Sequence, residues 1–242
     1  MLADDPGSAR RESLSFGVAA WAAWTGAGEA LIGTAGPSKT RLPAGLRRRA
    51  TTIGRRALDA AWAVLPGTGA PRLVLSSRHG EYQRTEALLQ ALAHEGAVSP
   101  AEFCMSVHHG LLGLLSIATH NRAGHTALAA GPETFGYGLL EAAACAAEDR
   151  APVLLVHFDE PLPEAYAPVV EADAPPLVLA LLITHPVESG GDGLSLAWEP
   201  AANPPHGDLA ASFLTFLSSQ DTESRCCGER LIWTWSRESR RA

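Results

Sequence analysis

The stretch "AGHTALAAGPETFGYGLLEAAACAAE", residues 123–148, decides how this chain is read. It opens as a short strand, turns at Gly131-Pro132 and closes as a helix rich in small residues. Many α/β enzymes hold a nucleophile on such a strand-to-helix bend, at the strand's C-terminal end. No Ser or Cys stands here; Leu128 does, flanked by alanines. The chain builds an elbow and leaves it without a reactive group.

Working outward, strands and helices alternate. "SLSFGVAAWAAW" (13–24) reads as a first strand, apolar on both faces and suited to the middle of a covered sheet. From Ala44 to Leu65 the chain reads as one helix, with Leu46, Ala50, Ile53, Ala57, Ala61 and Val64 on one side. "RLVLSS" (72–77) is a strand, and Glu81 to Glu95 an amphipathic helix carrying Leu88, Leu89 and Leu92. "SPAEFCMSVHHG" (99–110) reads as extended or turn-rich, and "LLGLLSIATH" (111–120) as a helix buried in the core or at an interface. Strands follow at "HTALAAG" (125–131), "PVLLVHF" (152–158) and "PLVLALLIT" (176–184), with the small-residue helix after the first of them. The last fifty residues predict a strand at "LSLAW", a helix at "DLAASFLTFLSS" and a strand at "RLIWTW". The pattern is an α/β layer built on a largely buried sheet.

Composition narrows the function. A net charge of −7 over 242 residues argues against general nucleic-acid binding, which draws on many phosphate contacts. Arg47, Arg48, Arg49, Arg55 and Arg56 nevertheless cluster between Lys39 and Arg56 with no acidic residue among them, either a solvated helix face or a docking patch for an acidic partner. Four cysteines without a C-x-x-C pair support neither zinc nor a redox site and fit a reducing cytosol. Arg10-Arg11 before an apolar run only superficially matches a twin-arginine signal, and "PPLVLALLIT" is too short to span a bilayer.

Motif lookalikes fail on physical grounds. "GTAGPSKT" (33–40) has Ser38 where a phosphate loop needs Gly, and Pro43 interrupts any helix after it. "GAGEALIG" (26–33) has Leu31 in place of the third glycine of a dinucleotide fingerprint. His79, His108, His109, His120 and His125 offer no ligand pair at one-turn helical spacing and no adjacent carboxylate, so neither a metal nor a cofactor is expected. No G-x-S-x-G occurs, and the carboxylates of "FDEPLPE" (Asp159, Glu160, Glu164) have no partner base.

The run "SPAEFCMSVHHGLLGLLSIATHNRAGHTALAAGPETFGYGLLEA", from Ser99 onward, resembles the N-terminal half of β-ketoacyl synthases, members of the thiolase-like fold. It looks closest to the short chain-length-factor-like subunits found with aryl-polyene and related pigment pathways. "RRRATTIGRRAL", "SSRHGE" and "VLLVHFDEPLPEAY" stand in the expected order, and the likeness spans about residues 15–185. His109 departs from it, occupying a place where Asn is expected.

The resemblance implies a thiolase-like domain over 14–185, preceded by an extension (1–13) and followed by one (186–242) that completes or decorates it. It implies a mixed sheet layered with helices around a central buried helix. Aligning "TALAAG" with Thr-Ala-Cys-Ala-Ser-Gly puts the catalytic cysteine's position at Leu128, which neither ionises nor accepts an acyl chain. The family's catalytic histidines lie in a C-terminal half that this chain is too short to include. The resemblance therefore implies a cytoplasmic, non-catalytic subunit that pairs with a full-length ketosynthase in polyene, polyketide or fatty-acid-type synthesis. His125, Thr126, Ala127, Leu128 and Ala129 would form the subunit edge. Leu111, Leu112, Leu114 and Leu115 would lie at the interface or line the partner's acyl tunnel, and the five arginines would attract an acyl carrier protein. The competing expectation is a stand-alone acyltransferase or hydrolase with a His-based site.

Overall fold

The computed structural model describes residues 12–26, 28, 30–35, 43–65, 67, 69–169, 175–186, 193–202 and 206–238. Arg10-Arg11, Lys39, Arg41 and residues 36–40 of the phosphate-loop lookalike lie outside the described residues.

A long strand, β1 (Glu12–Trp24), organises the sheet. Its second half pairs antiparallel with β6 (Leu177–Thr184), and its first half pairs antiparallel with β7 (Leu194–Pro200). One strand therefore joins the two halves of the sheet. β2 (Ile32–Gly33) pairs antiparallel with β1, so the end of "GAGEALIG" is strand and does not open a helix as a dinucleotide site requires. On the far side of β6 come β5 (Val153–Asp159), β3 (Arg72–Ser76) and β4 (His125–Leu128), the last three mutually parallel. On the other flank, β9 (Leu231–Arg237) joins β7, and β8 (Glu223–Cys227) closes the edge. The order is β4-β3-β5-β6-β1-β7-β9-β8. β8, "ESRCC", escaped the sequence reading because its apolar signal is short and is interrupted by Glu223 and Arg225.

Period-2 alternation assigns the two faces. Leu73, Leu75, Leu154 and Val156 turn toward α2 (Thr52–Val64) and α5 (His109–Thr119). Val74, Val153 and Leu155 turn toward α6 (Thr134–Asp149) and α7 (Leu209–Ser218). All eight residues of β6 are buried, as its unbroken apolar run predicts for a strand covered on both faces. Trp233 and Trp235 of β9 are fully buried in the α6/α7 layer, so the C-terminal strands share one core with the rest of the sheet. α6 is the central buried helix: nine of its residues, from Thr134 to Ala146, are buried.

Three local expectations are corrected. The helix read from Ala44 to Leu65 is two helices, α1 (Ala44–Arg47) and α2. Thr51 is extended and caps α2 through its hydroxyl, which accepts from the Gly54 N–H at 3.2 Å. "SPAEFCMS" is helical: α4 (Pro100–Ser106) starts with Ser99 as cap and Pro100 at its first position. The Ser-x-x-Glu of Ser99 and Glu102 was the signal for it. α3 (Tyr82–Glu95) has the expected helical bounds but buries no residue, and Leu89 and Leu92 are 49% and 52% exposed. Its leucine stripe is an outer surface.

Candidate functional site

The elbow lies where parallel strands end. Ser76 of β3 is paired with Leu128 of β4 on one side and with His157 of β5 on the other. Leu128, Ser76 and His157 thus form one row beneath the start of α6, at the C-terminal ends of the parallel strands. Leu128 ends β4 half-buried against the α6 layer, and the first residue of α6 is Thr134. Between them Gly131 takes a left-handed φ of 59°, and the Thr134 hydroxyl accepts from the Ala130 N–H at 2.9 Å.

The row contains a Ser–His pair that the sequence reading did not find. Ser76 Oγ is 3.0 Å from His157 Nδ1, and His157 Nε2 is 3.6 Å from Asp159 Oδ2. The residue types are those of a hydrolytic triad, but the ring nitrogens are reversed, 3.6 Å is beyond hydrogen-bond reach, and the hydroxyl is sealed. Ser76 is 0% exposed, and a Cβ built on Gly138 of α6 would sit 2.6 Å from its Oγ. Phe135 meets the His157 ring edge-on at 5.2 Å. Burial lowers the pKa of His157 to about 4, so it is neutral and packed, with no path for a substrate.

Around this row the polar groups are engaged in holding loops. Asp159 accepts from Ser77 Oγ (3.1 Å) and from the Arg78 N–H (2.8 Å), and Ser77 Oγ accepts from the Gly80 N–H (2.8 Å). His108 Nε2 bonds the Ser77 carbonyl at 3.1 Å. Glu81, 5% exposed, accepts from the Thr51 N–H at 2.7 Å and from the Thr51 hydroxyl, tying "SSRHGE" to the start of α2. Gly54 makes room, since a Cβ there would meet Glu81 Oε1 at 2.4 Å. Burial raises Asp159 to about 6, and burial with the nearby Glu81 and Asp159 charges raises Glu160 to about 7. Glu164 lies in the 3₁₀ turn Glu164–Val169.

The start of α6 is filled by the C-terminal hairpin. Glu133, 0% exposed, accepts from the Leu231 N–H (2.8 Å), the Arg230 N–H (3.2 Å) and Arg230 Nε (3.3 Å). Trp233 packs so closely on Gly136 that a Cβ would lie 2.6 Å from its Cε2. No pattern in the sequence links Glu133 with residues 97 positions away, so this contact was missed.

The strand side of the elbow is open. β4 is the terminal strand of the sheet. Leu73 N–H donates to the Gly124 carbonyl and Ser77 N–H to that of Leu128, which turns the backbone groups of Gly124, Thr126 and Leu128 toward β3. By the same alternation the N–H and C=O of His125 and Ala127 point away from the sheet. His125 and Ala129 are exposed; Thr126, Ala127 and Leu128 are half-buried. Burial and the nearby His109 lower the pKa of His125.

The other predicted residues are placed as follows. Leu111, Leu112, Leu114 and Leu115 are buried in this chain's own α2/α5 layer, while the outward face of α5 carries Ile117, 61% exposed. The arginines are partly committed. Arg47 makes a two-pronged pair with Asp59 at 2.8 and 3.0 Å, Arg55 bonds the Thr52 hydroxyl at 3.2 Å, and Arg56 stacks 5.3 Å over Trp24. Arg48 and Arg49 are exposed. Cys104, Cys145, Cys226 and Cys227 are free thiols. Among the described residues no three His, Cys, Asp or Glu side chains converge on a metal site, and no single helix is long and apolar enough to cross a membrane.

A mixed sheet layered by helices, with a strand-to-helix elbow at its parallel edge, defines a thiolase-like protein. The chain belongs to the β-ketoacyl synthase N-terminal domain family, whose model matches residues 21–236. A solved complex of a ketosynthase with its chain length factor from Xenorhabdus doucetiae is similar at 26% identity and a TM-score of 0.78, covering 93% of this chain and 100% of that one. The ishigamide ketosynthase/chain length factor (12% identity, TM-score 0.62, 85% of this chain and 73% of that one) shares the fold. So does a type II polyketide synthase acyl carrier protein in complex with its ketosynthase (12%, TM-score 0.67, 92% and 99%). No curated protein matches the sequence.

Proposed function

We propose that this chain is a non-catalytic, chain-length-factor-like subunit that pairs with a complete β-ketoacyl synthase in polyene or polyketide assembly. The observation that carries the reading is a terminal β4 strand ending in Leu128, at the place the family resemblance gives to the nucleophile. An unpaired edge strand is an aggregation hazard unless a partner covers it, and a partner strand adding to β4 extends one sheet through both subunits. Phe103 of α4, Val107 just after it and Ile117 of α5, exposed by 59%, 48% and 61%, precede that strand and would share its burial. Residues 14–185 form the ketosynthase-like unit in this reading, and 186–242 complete it by closing the elbow. Condensation then takes place on the partner's cysteine. With Arg47 paired to Asp59, the exposed Arg48 and Arg49, together with the still-charged Arg55 and Arg56, would attract an acidic acyl carrier protein. The sealed Ser76 speaks against a stand-alone hydrolase or acyltransferase.

Co-expression with a complete ketosynthase of the same pathway tests the reading, with a stable one-to-one complex as the expected result. A monomeric chain beside a ketosynthase that ignores it overturns the proposal. The isolated chain is expected to carry no covalent adduct in mass spectra after incubation with acyl thioesters, and an acylated residue would sink the pseudoenzyme assignment.

A further inference from the structure

The open edge carries a feature that neither catalysis nor strand pairing uses. His125 begins β4, and His109 begins α5, sixteen positions earlier in the chain. Both are exposed, and their ring centroids lie 5.1 Å apart with the planes tilted by 54°. His125 shares its sheet face with Ala127, the face that packs toward α5. The contact arises because α5 runs beside the strand, so no sequence spacing announces it.

The separation fits two imidazoles on one metal ion. With metal–nitrogen bonds of about 2.0–2.1 Å, each ring centroid sits roughly 3.2 Å from the ion, and a tetrahedral angle then separates the centroids by about 5.2 Å. Neutral imidazole is also the commonest ligand for metals of this class. His108, next in sequence, is turned inward onto the Ser77 carbonyl and is not part of the pair. Since no third His, Cys, Asp or Glu converges here among the described residues, this chain supplies two ligands only.

We propose that His109 and His125 form a two-histidine half-site for a divalent transition metal of the zinc class, completed across the β4 edge by the partner subunit. The half-site stands on this chain alone; its completion rests on the subunit reading above. Departure from the expected Asn at position 109 then creates a ligand rather than merely replacing a hydrogen-bonding side chain. Bound there, the ion would tie the two subunits together beside the paired strands.

Calorimetric titration of the isolated chain with zinc, with ring signals of the histidines followed by NMR, tests the half-site first. Saturable one-to-one binding that perturbs the rings of His109 and His125 is expected. His109→Gln and His125→Gln should each weaken it by at least about 10-fold, since losing even an outer-shell partner costs that much. His120→Gln, an exposed control at the other end of α5, should change nothing. A simple ring pair, which has the same spacing, takes up no zinc. Absence of saturable binding, or binding that survives both substitutions, overturns the half-site. The same titration on the co-expressed complex tests completion: zinc held at least about 10-fold more tightly than by the isolated chain supports it, and equal affinity overturns it. If no complex forms, the subunit reading and completion fail together, while the half-site is judged by the isolated chain.

Discussion

The two sides of the elbow have been treated in opposite ways. On the strand side, β4 leaves the backbone groups of His125 and Ala127 facing outward, with no strand among the described residues to pair them. On the helix side, the first turns of α6 are filled: Glu133 holds the Arg230 and Leu231 backbone, Trp233 lies on Gly136, and Gly138 seals Ser76. The parts suited to joining subunits stay accessible, and the parts suited to chemistry are packed shut. A polar edge strand is costly to leave open unless something covers it. A pocket that binds no substrate is better filled, because an empty cavity forfeits contacts.

Substitutions on the two sides should therefore separate assembly from stability. The largest effect is expected on the open side. Ala127→Pro removes an outward N–H without touching the β3 ladder; at about 3 kcal/mol for a misplaced proline it should weaken the complex by about 100-fold. Analytical ultracentrifugation reads the affinity, and the thermal midpoint of the isolated chain should barely move. Loss of both would mean that β4 is not a free edge.

On the closed side the buried row makes the fold acid-sensitive. His157 titrates near 4 in the folded chain against about 6.5 unfolded, so the folded state binds fewer protons in that interval. Its contribution is fully present above pH 6.5 and lost as pH falls toward 4, by about 3 kcal/mol. Urea melts at pH 7 and pH 4 measure it, and His157→Gln should flatten that limb. Glu133→Ala leaves the backbone donors of Arg230 and Leu231 without their acceptor and should cost about 2–3 kcal/mol in the same assay. Gly136→Ala presses a methyl into Trp233 and should cost about 1–2 kcal/mol, visible also in Trp fluorescence. Neither change should loosen the ketosynthase complex if the two sides are independent.

The last effect runs the other way in pH, and it is reduced because Glu160 is only partly buried and water screens its charge. Glu160 titrates near 7 when folded against 4.5 for the free side chain, so the folded state binds more protons between these values. Its contribution is intact below pH 4.5 and lost as pH rises through 7. Glu160→Gln should therefore stabilise the protein at pH 8 and leave it unchanged at pH 4.

Much of this architecture was legible in the residues. An unbroken apolar run marked β6 as a strand covered on both faces, whereas β1, read the same way, buries only Phe16, Gly17, Ala22 and Ala23; the elbow carrying Leu128 was visible before any fold. Errors arose where local signals were mixed. Thr51 capped a second helix inside a continuous apolar stripe, "ESRCC" was too short and charged to stand out, and the α3 leucines were amphipathic yet stayed outside the core. Periodicity reports which residues share a face, not whether anything covers that face.

What the sequence determined by itself was the class of fold and the presence of Leu128, with no Ser or Cys, on the strand-to-helix elbow, because both are written in contiguous residues. Only the tertiary structure decided that β4 ends the sheet, that Leu111 to Leu115 are buried by this chain, and that Arg47 is already neutralised. It alone brought Glu133 to Arg230, Ser76 to His157 and His109 to His125. Those contacts depend on which strand lies beside which and on the depth to which a helix settles onto the sheet, and both are set by packing between segments far apart in the chain.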